Sequence, residues 1–330
     1  MYCVINYYRG DGGLRGGGRR GPAKQETKVL EARDVRKNFG DVHAVDGLSF
    51  TARPGEIFGL IGPNGAGKST TIRMAMNIIA PDSGEILIRG RRLAEEDKAI
   101  VGYLPEERGL YRKSKVGDML LYFAALKGCR AAQARESMDA WLERFGILDW
   151  KGRKIDELSK GMAQKVQFIA AVIHSPRLVL FDEPFAGLDP LSQDILLKAM
   201  LELRSEGVTL LFSTHIMEHA EKVCERILLV DRGREILSGS LAEVKASYGR
   251  NAVQIEYDGD AAFVEELPFV ESVTRYPRWL EAQLRPGCDA DELFRALAGR
   301  VKVRRFEVVA PSLHKIFTSL VGVPEEADHE

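Results

Sequence analysis

Long apolar runs are missing from these 330 residues. The longest, such as residues 178–181 and 227–230, have the length of a strand, whereas a membrane-spanning helix needs roughly 18 or more apolar residues in a row. Any membrane role must therefore come through a partner. Cysteine is scarce: Cys3, Cys129, Cys224 and Cys288 are widely scattered, with no CxxC pair and no Cys/His spacing that would hold a metal. No signal peptide argues for an oxidising compartment, so free thiols are expected. An excess of one charge is also absent. The 47 basic and 48 acidic residues leave a formal charge of −1, and no nucleic-acid partner is expected from that balance.

What is present is ordinary for a folded chain. The apolar fraction is 45% and the charged fraction 29%, enough for a sizeable core, and the length suggests more than one domain. Residues 1–28 read as a disordered tail. Gly10, Gly12, Gly13, Gly16, Gly17, Gly18 and Gly21 alternate there with Arg9, Arg15, Arg19 and Arg20, and such a stretch cannot bury enough surface to offset its ordering entropy. From residue 29 the texture changes. Residues 29–34 and 48–52 read as short edge strands, and 56–61 as an apolar strand running into a glycine-rich turn. A helix is expected over 70–79, stopped by Pro81-Asp82-Ser83-Gly84. Strands are expected at 85–89, 100–104, 178–181, 209–213 and 227–230, with helical texture over 116–145. Buried apolar strands alternating with helices imply a parallel α/β core. Beyond about residue 244 the strand-like segments 252–257, 270–275, 280–285 and 301–309 alternate with helical candidates at 261–266 and 289–298. That order fits a small α+β domain with helices on one face of an antiparallel sheet. The expected division is 1–28 tail, 29–243 nucleotide-binding domain and 244–330 accessory domain.

The chemistry centres on Gly62-Pro63-Asn64-Gly65-Ala66-Gly67-Lys68-Ser69-Thr70. It fits GxxxxGK[ST] between a strand and a helix, where backbone N–H groups turn inward around phosphates and the helix aims its positive end at them. Lys68 should reach the β- and γ-phosphates and Ser69 should hold Mg²⁺. An apolar strand ending in Asp182-Glu183 supports this, because an α/β sheet places its ligand chemistry at the carboxyl ends of its strands. Asp182 would organise Mg²⁺ and Glu183 would polarise the attacking water. Read alone, the pair could equally be two solvated acids; beside the phosphate loop the functional reading prevails. His215 and His219 lie four apart, as in a metal-binding pair, but the Glu that such a motif places between them is missing, and a metal there is not expected. His174, before Ser175-Pro176, reads as a helix-end residue.

These residues, with others in order, resemble the ABC ATPases. Leu158-Ser159-Lys160-Gly161-Met162 resembles the family signature, usually LSGGQ, just ahead of the carboxylate strand. Ala186-Gly187-Leu188-Asp189 looks like the D-loop, Ser213-Thr214-His215 like the switch-histidine loop, and Phe39-Gly40 like the aromatic loop that stacks on adenine. The resemblance covers residues 29–240 and implies an α/β P-loop NTPase fold of ABC type with a helical subdomain, beside the α+β domain. It implies that Phe39, Val45, Gly62, Asn64, Gly65, Ala66, Gly67, Lys68, Ser69, Thr70 and Glu106 bind ATP. It also implies that Ser69, Asp182 and Glu106 hold Mg²⁺, and that Glu183, His215 and Lys68 serve catalysis. Ser159, Lys160 and Gly161 would act in trans, with Asp189 in the D-loop, because two such domains sandwich ATP head to tail. One chain carries one set of motifs, so a second copy or a paralogous ATPase subunit is needed.

Two motifs depart from the family pattern. Glu106 stands where Gln is usual, and Lys160 and Met162 replace Gly and Gln of the signature. Residues 102–111, Gly-Tyr-Leu-Pro-Glu-Glu-Arg-Gly-Leu-Tyr, the Leu-Ser-Lys-Gly signature and the ending Pro311-Ser312-Leu313…Ile316-Phe317 resemble the NatA-type sodium-export branch, in which acids usually stand where this chain has His314 and Lys315. The resemblance implies an ATP-hydrolysing subunit of an exporter, held at the cytoplasmic face of the membrane by a separate multi-span permease. The alternative is a soluble or regulatory ABC ATPase not coupled to transport.

Overall fold

The computed structural model describes residues 28–107, 109–248, 252–285 and 287–321. The tail read at residues 1–28 therefore lies, apart from Lys28, outside the described residues.

The apolar strands assemble into one six-stranded sheet. It contains β3 (Ile57–Ile61), β5 (Val101–Leu104), β6 (Leu178–Asp182), β7 (Thr209–Thr214), β8 (Arg226–Asp231) and β9 (Arg234–Ser240), in the order β5-β6-β7-β3-β8-β9. All neighbours run parallel except β8 and β9, which form an antiparallel hairpin. The strands read as unbroken apolar runs because both faces are covered. Alternate residues point to opposite faces. Ile57, Ile61, Val179, Phe181, Leu210, Phe212, Ile227 and Leu229 join the helical side of the core. Phe58, Leu60, Leu178, Leu180, Leu211, Leu228 and Val230 join the other side.

That other side is closed by α1 (Lys68–Ala75) and by a three-stranded antiparallel sheet of β1 (Leu30–Phe39), β2 (Val42–Ala52) and β4 (Ser83–Ile88), in the order β2-β1-β4. The expectation of short edge strands is corrected here: β1 is central, and it pairs with β2 through to Phe39↔Val42. The charged stretch after Ala32 hid its length. Arg33 pairs with Glu85, Arg36 with Asp46 and Lys37 with Asp82, so cross-strand ion pairs replace apolar alternation. On the helical side lie α2 (Val116–Leu126), α3 (Ala131–Arg144) and α4 (Lys160–Val172). Phe168 of α4 stacks on Phe181 of β6 with ring centroids 5.0 Å apart, which anchors α4 to the strand that carries the carboxylates. Also against this core pack α5 (Pro190–Ser205), α6 (Met217–Val223) and α7 (Leu241–Ser247).

The C-terminal strands form a separate antiparallel sheet. β10 (Ala252–Asp258), β11 (Val270–Arg275), β12 (Trp279–Leu284) and β13 (Lys302–Val309) take the order β11-β12-β10-β13. With a 3-10 turn over Ala262–Glu266 and α8 (Ala290–Leu297), the chain path is β-α-β-β-α-β, the split βαβ arrangement. Val253, Ile255, Val264, Leu280, Leu293 and Leu297 form its own core, so the α+β expectation holds. Residues of two helices beyond position 243 nevertheless serve the larger core. Val244 of α7 is buried there, and so are Leu313 and Ile316 of α9 (Leu313–Val321). The backbone N–H of Leu313 donates to Glu221 of α6, whose other carboxylate oxygen pairs with Lys245 at 2.6 Å. Lys315 reaches back to Glu281 of β12. α9 thus ties the small domain to the helix that follows His215.

Candidate nucleotide-binding site

The loop after β3 can be built only with glycine at two places. A Cβ on Gly62 would lie 2.1 Å from the Val230 carbonyl oxygen, and one on Gly67 would lie 2.2 Å from that of Ala44. Gly67 also has φ +99°, a conformation L-residues rarely adopt. It is the N-cap of α1, so the loop's backbone leads directly into a helix N-terminus. Beside it is a cavity of about 230 Å³, whose lining includes Val42, Ala44, Asn64, Gly65, Lys68 and Glu183.

Lys68 is 5% exposed. Its Nζ donates to the carbonyls of Gly62 (2.8 Å) and Pro63 (3.0 Å) and lies 3.4 Å from Glu183 Oε1. Ser69 Oγ donates to Asp182 Oδ1 at 2.9 Å and is 3.4 Å from Glu106 Oε2. Asp182, at the end of β6, is fully buried, and Ser213 Oγ donates to its Oδ1 at 2.7 Å. Burial pushes the Asp182 carboxyl above its ordinary range and the nearby Glu106 and Glu183 push it further, while the Ser213 and Ser69 hydroxyls pull it down. Its Oδ2 is buried with no hydrogen-bond partner among the described residues. An orphaned anionic oxygen beside Ser69 and Glu106 suits a hard cation that takes one or two carboxylates and completes its shell with phosphate and water. The set therefore fits Mg²⁺.

Glu183 follows Asp182 with φ +50°. Its N–H donates to Ser213 Oγ at 3.0 Å, and its Oε2 lies 3.0 Å from His215 Nδ1 at the end of β7. The fold thus brings Lys68, Ser69, Glu106, Asp182, Glu183 and His215 into one cluster. Ala66 and Thr70 belong to the same loop and helix start, and Thr70 lines the cavity.

The remaining residues singled out in the sequence lie outside the cavity lining. Val45 is fully buried beneath Gly67; strand alternation in β2 turns Val42 and Ala44 to the cavity in its place. Phe39 is opposite Val42 across the hairpin and 52% exposed, with Lys37 Nζ 5.6 Å from its ring centroid. Ser159 caps α4 by accepting the Met162 N–H at 3.2 Å. Among the described residues, the cavity lining does not include Ser159, Lys160 or Gly161. Gly161 faces Leu188 and Asp189. Asp189 caps α5, and the Ser192 hydroxyl and N–H hold its carboxylate below the ordinary range. His219 is buried against Phe185 and bonds Gln193 at 3.1 Å. No group of three His, Cys, Asp or Glu side chains that could hold a metal ion occurs among the described residues.

Sequence reasoning named Ser213 only as part of the switch-histidine loop, without its role of joining the backbone of Glu183 to Asp182, and it missed Gln164 and Gln167 of α4. The position of the two glutamines right after the signature was the only signal available for them.

Comparison with known proteins agrees with this geometry. Residues 45–186 match the family described as ABC transporter, and residues 239–321 match the C-terminal domain of DrrA1-3-like ATP-binding proteins. The chain is 42% identical to the uncharacterised ABC transporter ATP-binding protein YhaQ of Bacillus subtilis over 90% of its own length and 100% of that protein. It is 31% identical to the linearmycin resistance ATP-binding protein LnrL of the same species, over 89% of this chain and 98% of that one. A solved ATP-binding subunit of an ABC transporter superposes with a TM-score of 0.63 at 33% identity, covering 67% of this chain and 93% of that one. By these measures the chain belongs to the ABC transporter ATP-binding proteins, in the NatA- and DrrA-type branch that carries this C-terminal domain.

Proposed function

We propose that the chain hydrolyses ATP to drive a separate membrane permease, and that the permease exports its substrate. The observation that carries the reading is the contact of Glu183 with both Lys68 and His215 at the mouth of the glycine loop. Loop N–H groups and the α1 N-terminus would hold the phosphates, and Lys68 would exchange its carbonyl partners for phosphate oxygens. Glu183, fixed by His215, would orient the attacking water and accept its proton. Ser69, Asp182 and Glu106 would hold Mg²⁺, which when bound neutralises charge on the phosphate oxygens.

The site needs a second chain. Ser159 and the N–H groups opening α4 form a helix N-terminus suited to a phosphate, and they lie apart from this copy's own phosphate loop. We propose a head-to-tail pair in which they meet the partner copy's ATP. An apolar groove of about 310 Å³, lined by Pro105, Gly109 and Leu110 on one side and by Phe123 and Leu126 of α2 on the other, with Tyr111 and Tyr122 exposed nearby, suits docking of a permease segment. No helix among the described residues is long and apolar enough to cross a membrane, so attachment at the cytoplasmic face would come through that permease. Export is supported by the likeness to a resistance protein. Turnover of the Glu183→Gln variant tests the core of the reading. It should retain ATP binding and lose hydrolysis by roughly 10²–10⁴-fold, and near-normal turnover would remove Glu183 from its role.

A further inference from the structure

Two buried glutamines on α4 hold the two loops that carry the acids. Gln164 Nε2 donates to the carbonyl of Pro184, one residue past Glu183, at 3.0 Å. Gln167 Nε2 donates to the carbonyls of Pro105 (2.9 Å) and Glu107 (3.2 Å), the two residues that flank Glu106. Both side chains are 4% exposed. They are three residues apart, hence neighbours on one helical face. The same helix starts at Ser159, only about 7–12 Å away at 1.5 Å per residue.

Their chemistry is not that of space-fillers. Gln167 Oε1 is buried without a hydrogen-bond partner among the described residues. A buried unpaired carbonyl costs stability, and a thioether of similar length would avoid that cost. What the amide supplies is its N–H donors, aimed at backbone on both sides of Glu106. That fixes the Glu106 backbone from two directions and so directs its carboxylate to within 3.4 Å of Ser69. The Glu183 loop is held in the same fashion. Its left-handed φ of +50° is a strained conformation for any residue with a Cβ, and it persists only if its surroundings over-determine it. Ser213 holds the Glu183 N–H and Gln164 holds the carbonyl one residue later.

We infer that Gln167 and Gln164 are positioning residues, the first setting Glu106 at the Mg²⁺ site and the second setting Glu183 for attack. The inference rests on the roles proposed above for those two acids. It gives α4 a second task beyond the signature at its N-terminus.

The test uses the full chain and three variants, Gln167→Met, Gln167→Asn and Gln164→Met. A fluorescent ATP analogue is titrated with and without Mg²⁺, and the ratio of the two dissociation constants is the readout. In Gln167→Met the Mg²⁺ enhancement should fall by roughly tenfold or more, as for groups that orient metal ligands, while the melting temperature stays level or rises. Gln167→Asn, with its amide drawn back, should show the same loss. Added to Glu106→Gln, Gln167→Met should cause little further change, because the two act as one unit. Gln164→Met should keep Mg²⁺-ATP affinity and lower kcat by a similar roughly tenfold factor.

A wild-type Mg²⁺ ratio in Gln167→Met overturns the inference, whether or not its melting temperature moves. So does an undiminished effect in the Glu106→Gln background. Unchanged kcat in Gln164→Met overturns the Glu183 half. A wild-type chain that neither binds nor hydrolyses ATP would instead refute the proposed function itself.

Discussion

Gly67→Ala puts the phosphate loop under a measurable load. An alanine there keeps φ +99° only at a cost of about 1–3 kcal/mol. Its Cβ would begin 2.2 Å from the Ala44 carbonyl oxygen, where ordinary contact starts at 3.4 Å, so the loop and β2 must part by about 1 Å. Crowding of that kind adds about 1–3 kcal/mol. It also disturbs the bond from Thr71 Oγ1 to the Gly67 carbonyl at the first turn of α1. Together these terms come to about 2–6 kcal/mol, or on the order of 10 °C in melting temperature for a domain of this size. Gly65→Ala is the internal control. Gly65 has φ +80° but nothing within 4 Å of its Cβ position, so only the conformational term of about 1–3 kcal/mol applies. Thermal unfolding with and without ATP reads both effects. At saturation near 100 Kd, ATP should stabilise wild type by about 2.7 kcal/mol, and Gly67→Ala should lose most of that gain. If Gly67→Ala melts and responds to ATP like wild type, the close approach of loop and β2 is not what shapes the phosphate site.

Two further perturbations probe parts of the fold away from the nucleotide. Burial and the nearby Lys127 hold His174 at about 4, below its ordinary 6.5, so it is neutral in the fold at pH 7. Its contribution is complete above pH 6.5 and is lost as pH falls towards 4, amounting to about 3 kcal/mol at most. Melting curves from pH 7 to 4 should therefore fall less steeply for His174→Gln than for wild type, and equal slopes would discount it. Ile316→Ala, which truncates a side chain 1% exposed under α6, should cost about 2–5 kcal/mol in chemical denaturation. A loss below about 0.5 kcal/mol, the level of an ordinary surface change, would mean that α9 does not hold the domains together.

The parts of the site legible in the sequence were those set by local spacing. The glycine loop, the strand ending in Asp182-Glu183 and Ser213-Thr214-His215 are each contiguous, and strand-to-loop logic alone brings their ends to one edge of the sheet. The family resemblance implies Val45 at the nucleotide, but β2 starts at Val42, and alternation along it buries residue 45 and opens residues 42 and 44. β9 carries the half-exposed, glycine-containing run Arg-Glu-Ile-Leu-Ser-Gly-Ser, which has no periodic signature of its own. The amides of Gln164 and Gln167 bond backbone carbonyls 20, 62 and 60 residues away, and no local pattern encodes such partners. The return of α9 to α6 depends likewise on a contact between Leu313 and Glu221, 92 positions apart.

The central claim is that hydrolysis takes place between two copies, with Lys68 and Glu183 of one facing Ser159 of the other. Light scattering of the full-length Glu183→Gln variant, with ATP binding verified in the same sample, tests it most directly. The account predicts a monomer without nucleotide, a doubling of mass on adding Mg²⁺ and ATP, and loss of that doubling when Ser159→Trp is introduced as well. A mass that ATP leaves unchanged, alone and with the permease present, would contradict it.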